Sequence, residues 1–196
     1  MALGPKLKRA GWLSLAALFA VTGLGIGIWG FWQATHPPDE SAIYIKCSSD
    51  PKIVELQVAG SGLAGTKLPN FTPTNDVSKL QCTDGLVGNG ATANSLSTII
   101  VNYTGALSTT GKIFESSLDS GQPITLSLGQ VIEGWAKGIP GMKVGGTRRL
   151  LIPADMAYGP TGSCEKVSET DPTKCEKYSI PPNTPLVFDI TLINTQ

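Results

Sequence analysis

The sequence carries a single histidine, His36, and no Cys-x-x-Cys pair, so the usual ligand sets of a zinc site are missing. Without a histidine in the body, Ser116 and Ser117 have no base to make either of them a nucleophile. Phosphate-cradling loops are missing too: Gly145-Gly146 and Gly159-Pro160-Thr161-Gly162 have the composition of turns. Charge is sparse, at 15% of residues, and Lys and Arg do not cluster in the body, which excludes a basic nucleic-acid surface. Whatever chemistry the chain performs is expected to need no metal, cofactor or covalent intermediate.

Charge is also missing from Ala10 to Pro38, where no Asp, Glu, Lys or Arg occurs. Within it, Gly11 to Trp32 is strongly apolar, and as a helix it spans ~33 Å, close to the ~30 Å hydrocarbon thickness. Trp12 stands at one end and Trp29, Phe31 and Trp32 at the other, where interfacial aromatics belong. Lys6, Lys8 and Arg9 precede it, which predicts a cytoplasmic tail over 1–10, a transmembrane helix over 11–33 and a body outside the membrane. A cleaved signal peptide is the rival. Its apolar core is typically ~7–15 residues and ends in a small-residue site, a pattern Trp32 spoils before Ala34. Beyond the basic tail, 12 basic residues face 15 acidic ones. His36-Pro37-Pro38-Asp39-Glu40 reads as an extended exit, opening a linker and N-terminal extension over 34–92.

Four cysteines follow: Cys47, Cys82, Cys164 and Cys175. An even number outside a membrane suggests two disulfides, and nearness in sequence favours Cys164 with Cys175 and Cys47 with Cys82. Four free thiols in a reducing compartment is the alternative.

With 23 Gly and 14 Pro, the body is expected to be rich in strands and turns. Ile53 to Ala59 alternates weakly as a strand, and Gly60 to Gly90 reads as loop. From Ser97, Ile99, Val101 and Tyr103 share one face at period two. Lys112–Ser116, Pro123–Leu128 and Thr147–Ile152 read as further strands, the last stopped by Pro153. Val131, Ile132, Trp135 and Ile139 recur at helical spacing, predicting one amphipathic helix over Gln130–Gly138. Leu186, Phe188, Ile190 and Leu192 alternate through a run long enough for a central strand. The expected class is α+β: a curved antiparallel sheet wrapped around one short helix, with a cleft between the helix and the loops.

The strings VNYTGAL, GKIFESSLDSGQPITLSLGQVIEGWAKGIPGMKVGGTRRLLIPADMAYG and IPPNTPLVFDITL, taken in order, resemble the FKBP family of peptidyl-prolyl cis/trans isomerases from Val101 to Leu192. The resemblance implies an FKBP-like domain over 93–196 that acts on X-Pro bonds. It also implies a pocket with Trp135 as floor and with Tyr103, Phe114 and Phe188 as aromatic walls. Val131 and Ile132 would line one side, with the Ile132 N–H offered to a substrate carbonyl. Tyr158 would donate its hydroxyl from the rim, and Ile180 would close the top. Its partners would be proline-containing polypeptides and a macrolide inhibitor of the family. Three positions depart from the family's pattern. Glu115 replaces a common Asp, Ile124 replaces a common aromatic, and the loop between Tyr158 and Ile180 is enlarged and carries Cys164 and Cys175. Taken singly, each aromatic reads better as an ordinary core residue. A non-catalytic proline-peptide-binding or chaperone module on a membrane tether is the alternative function, and a structural role in a membrane assembly is a third.

Overall fold

The computed structural model describes residues 45–53 and 62–196. The predicted tail and membrane span lie outside these residues, as does nearly all of the strand predicted over Ile53–Ala59; Ile53 itself is in no strand. Among the described residues no helix is long and apolar enough to cross a membrane.

In chain order the elements are β1 (Ser48–Ser49), β2 (Gln81–Leu86), β3 (Thr98–Leu107), β4 (Ile113–Ser116) and β5 (Ile124–Ser127). They continue with α1 (Glu133–Gly138), β6 (Thr147–Ile152), β7 (Ser163–Val167), β8 (Cys175–Ile180) and β9 (Leu186–Thr195). Seven strands form one sheet in the order β1-β2-β6-β9-β3-β4, with β5 also paired to β3. Every pairing in it is antiparallel except β1 with β2, so the sheet is mixed at that edge rather than wholly antiparallel.

The period-two pattern of the last strand is what places the core. Leu186, Phe188, Ile190 and Leu192 are buried in one cluster with Ile99, Val101, Leu150, Ile152, Trp135 and Ile139. β9 lies between β6 and β3, so it is covered on both edges as well as on its apolar face. α1 packs close on β6 because two helical positions lack a Cβ. A methyl at Gly138 would fall 2.7 Å from Leu150 Cδ1, and one at Gly134 would collide with Ile152. Glycine weakens a helix by roughly 0.5–1 kcal/mol against alanine, a local cost that close packing offsets.

Three further expectations need correction. The segment read as loop from Gly60 to Gly90 contains β2, whose Cys82, Thr83 and Asp84 pair with Leu150, Arg149 and Arg148 of β6. Only Cys82 of β2 is buried, so the strand carries little hydrophobic pattern; tertiary pairing defines it instead. Its Asp84 accepts from Arg148 Nε at 2.6 Å, while Arg148 also donates to the Gly138 carbonyl at 2.8 Å. One guanidinium thus ties β2 to the end of α1.

The same stretch covers the second face of the sheet. Leu68, Ala106, Ile113 and Val187 form a smaller buried cluster there, with Phe71 and Leu63 against it. The helix, secondly, is shorter than its periodicity suggested. Leu128–Gln130 is a 3-10 turn, and Val131 and Ile132 are extended (ψ 171° and 149°) before α1 begins. Thirdly, the enlarged Tyr158–Ile180 segment is not simply a loop: β7 and β8 pair as an antiparallel hairpin. The two expected disulfides are present, Cys47–Cys82 and Cys164–Cys175.

Candidate active site

The aromatic residues singled out in the sequence converge. Trp135 of α1 meets Phe188 of β9 edge to face, with ring centres 5.3 Å apart at 87°. Tyr103 of β3 meets Trp135 at 5.5 Å and 83°, and Phe114 of β4 meets Phe188 at 5.8 Å and 86°. Edge-to-face pairs of this kind are worth about 0.5–1.5 kcal/mol each beyond the area they bury. The rings brace one another, so the walls of the site are assembled by the chain's own contacts.

One backbone position makes the cluster possible. Gly105 of β3 lies opposite Phe188 in the sheet register, and a Cβ there would sit 2.6 Å from the Phe188 ring and 2.7 Å from that of Phe114. The two rings close over bare backbone.

These rings border a cavity of about 260 Å³. Trp135 is buried against it, with Tyr103, Phe114 and Phe188 around it and Val131, Ile132 and Ile124 along the sides. Glu115 and Tyr158 also line it, and Tyr158 remains 39% exposed, as a rim position requires. Ile180 does not line this cavity. β8 carries it into the main core, where it is buried, and its exposed part borders a second hollow. Sequence reasoning missed Leu126, Gln130 and Gly105. Leu126 was findable, since it stands two residues beyond Ile124 on β5 and shares its face.

Polar groups are few. The Ile132 carbonyl starts α1, accepting from the N–H groups of Trp135 at 2.9 Å and Ala136 at 3.1 Å. Its own N–H makes no hydrogen bond among the described residues, and Ile132 lines the cavity. The Trp135 indole N–H is buried and likewise unpartnered. Burial holds the Tyr103 phenol well above the usual tyrosine value, and the charge of Glu115 and a hydrogen bond to it push the same way. Burial and the same carboxylate also raise Tyr158. Both phenols are therefore neutral donors throughout the physiological range. The site combines a ring-lined hollow with hydrogen-bond donors and the Glu115 carboxylate in its walls, and among the described residues no Ser, Thr or Cys lines it. It can bind and reshape a group without cutting it.

Comparison with known proteins agrees. Residues 90–193 match the profile of the FKBP-type peptidyl-prolyl cis-trans isomerases, more than half of the chain, and the chain belongs to that family. The chain is 34% identical over 148 residues to the FKBP-type peptidyl-prolyl cis-trans isomerase FkpA of Aeromonas hydrophila, covering 76% of this chain and 50% of that one. It is 41% identical over 126 residues to FK506-binding protein 4 of Dictyostelium discoideum, covering 62% of this chain and only 31% of that relative. Among solved structures, a peptidyl-prolyl cis-trans isomerase of Pseudomonas syringae superposes with a TM-score of 0.50 at 32% identity, covering 66% of this chain and 83% of the other.

Proposed function

We propose that the chain catalyses cis/trans exchange at X-Pro bonds of exported polypeptides, from the outer side of a membrane to which residues 11–33 anchor it. The observation that carries the activity is the ring-lined hollow over Trp135, walled by Tyr103, Phe114 and Phe188. Rotation about a peptide bond meets a barrier of ~18–20 kcal/mol, because resonance stiffens the C–N bond. X-Pro isomers differ by only ~0.5–1 kcal/mol, so the task is to lower a barrier and not to drive an equilibrium. In the twisted amide the nitrogen is less conjugated and the carbonyl less polar. An apolar site that strips water from the planar form narrows the gap between the two. The Ile132 N–H and the Tyr158 hydroxyl are suited to hold the flanking peptide in a turn while the prolyl ring sits in the hollow.

Two disulfides in the described residues support an oxidising compartment, and the basic tail before the apolar run supports the orientation. Relatives named for FK506 binding support a macrolide as a competitor for the same hollow.

An exchange assay on a short X-Pro peptide with the full chain in mild detergent tests the activity. Acceleration that a macrolide of the FK506 class abolishes is expected; binding without acceleration would leave a proline-binding module instead. For the location, protease added outside intact cells should digest the domain and spare an N-terminal tag. A protected domain would overturn the orientation.

A further inference from the structure

A second hollow of about 600 Å³ adjoins the first, and the two share Phe114, Glu115 and Tyr158 in their walls. Its other walls come from parts of the chain that the ring-lined cavity does not use. Ala64 and Gly65 supply one side, and Lys177 and Tyr178 of β8 supply another. We infer that this chamber receives the polypeptide flanking the target proline, so that the protein favours long unfolded chains over short prolyl peptides. The inference rests on the proposed isomerase reading for its occupant.

Three observations lead there. The first is continuity: a peptide whose prolyl ring lies among the aromatic walls must leave past the rim, and Phe114, Glu115 and Tyr158 border both spaces. The second is size. The chamber lies inside the range of about 300–1,000 Å³ typical of ligand sites, with room for several residues beyond the proline. The third is that both walls are fixed in advance. The Leu63 and Ala64 N–H groups donate to the Asp119 carboxylate at 2.6 and 3.1 Å, and the Gly65 N–H donates to the Ile113 carbonyl at 2.8 Å. Opposite, the hairpin is clamped by Cys164–Cys175 and by the Lys177–Glu165 ion pair at 2.7 Å. Walls that are already ordered lose little entropy when a chain settles between them. Both Tyr178 and the stem of Lys177 offer apolar surface beside polar heads, which suits a mixed polypeptide better than a purely apolar ligand.

The experiment compares two substrates on the full chain in detergent: a four-residue X-Pro peptide and a labelled unfolded polypeptide with at least eight residues on each side of one proline. Ala64→Trp narrows the chamber, and Tyr178→Ala removes part of a wall from an exposed position as a second variant. Each should lower kcat/KM for the long substrate by about fivefold to tenfold, the scale of one good interface contact, and leave the short peptide unchanged. Equal losses on both substrates, or no loss on the long one, would overturn the inference. Fluorescence anisotropy of the long polypeptide separates this from the isomerase reading. If neither substrate is accelerated but Ala64→Trp weakens long-chain binding, the chamber stands and the isomerase reading falls. Binding untouched by both variants removes the chamber.

Discussion

Arg149 and Asp189 stand directly opposite each other across β6 and β9, joined by two hydrogen bonds of 2.6 and 2.7 Å between the guanidinium fork and the carboxylate. Their side chains are only 12% and 11% exposed, and Asp189 is the residue after Phe188, so the pair holds the strand that carries an aromatic wall. Burial raises the Asp189 carboxyl above its ordinary range, against the hydrogen bonds and charge of Arg149, which pull it down. Arg149 also donates to the Asn70 and Pro69 carbonyls and lies 5.5 Å from the Phe71 ring. It therefore fastens the segment over the second face to the middle of the sheet. Arg149→Ala should lower stability by about 3–5 kcal/mol, the usual result of leaving one buried charge unpaired, as read from urea unfolding. A loss under 1 kcal/mol would mean that the pair is not structural.

Phe114 separates activity from folding, while Trp135 lies in the main core with Phe188 and is tested by exchanging one ring for another. Phe188 sits in the main core, so truncating it mixes the two effects, whereas Phe114 is only partly buried. Phe114→Leu should reduce kcat/KM for a prolyl peptide by about tenfold, equivalent to ~1.4 kcal/mol in the barrier, with little change in unfolding midpoint. Trp135→Phe gives a complementary check. It deletes a buried N–H that has no partner, so it should destabilise less than a core truncation of about 3–5 kcal/mol. Activity retained in full by both variants would show that the rings serve only as core.

The coupling of Tyr103 to Glu115 predicts a pH signature. Folding raises the phenol above its usual value of 10.0, through burial first and Glu115 second. The folded chain thus keeps a proton that the unfolded chain releases, and stability is complete below that value and declines as pH rises above it. Tyr103→Phe should show a smaller decline between pH 9 and pH 11 in urea unfolding. Glu115→Gln should move the Tyr103 ionisation to lower pH in an ultraviolet titration, yet not back to the usual value, because burial persists. An unmoved titration would show that the carboxylate does not act on the phenol.

The strands were legible from their periodicity, whereas the pocket residues were named through the resemblance to the family, since each aromatic taken singly reads as core. Ile99, Val101, Leu186, Phe188, Ile190 and Leu192 announce their strands by alternation, and the same alternation puts Phe188 on the face that meets Trp135. What stayed illegible depends on contacts between distant segments. β2 has one buried residue and owes its existence to pairing with β6. Gly105 looks like any glycine until the rings of Phe114 and Phe188 are placed on either side of it. Ile180 carries the right chemistry for a pocket wall, but β8 turns it into the core, a matter of hairpin geometry that no residue type encodes.

The two disulfides should differ in what they stabilise. Cys47–Cys82 spans 35 residues and joins the start of the described chain to β2 inside the main sheet, so its loop-closure effect falls on the whole fold. On the chain-entropy account that is worth roughly 4 kcal/mol, less where the unfolded chain retains structure. Cys164–Cys175 spans 11 residues within the hairpin, and β7 and β8 pair only with each other. Its nominal effect is roughly 3 kcal/mol, and it falls on the hairpin, which the bridge holds closed and which is expected to open ahead of the sheet once the bridge is removed. Replacing Cys47 and Cys82 by Ser should therefore shift the global unfolding midpoint. Replacing Cys164 and Cys175 should leave the midpoint nearly fixed and instead speed hydrogen exchange at Lys166, Lys177 and Tyr178. A large midpoint shift from the second pair would show that the hairpin unfolds together with the sheet and not ahead of it.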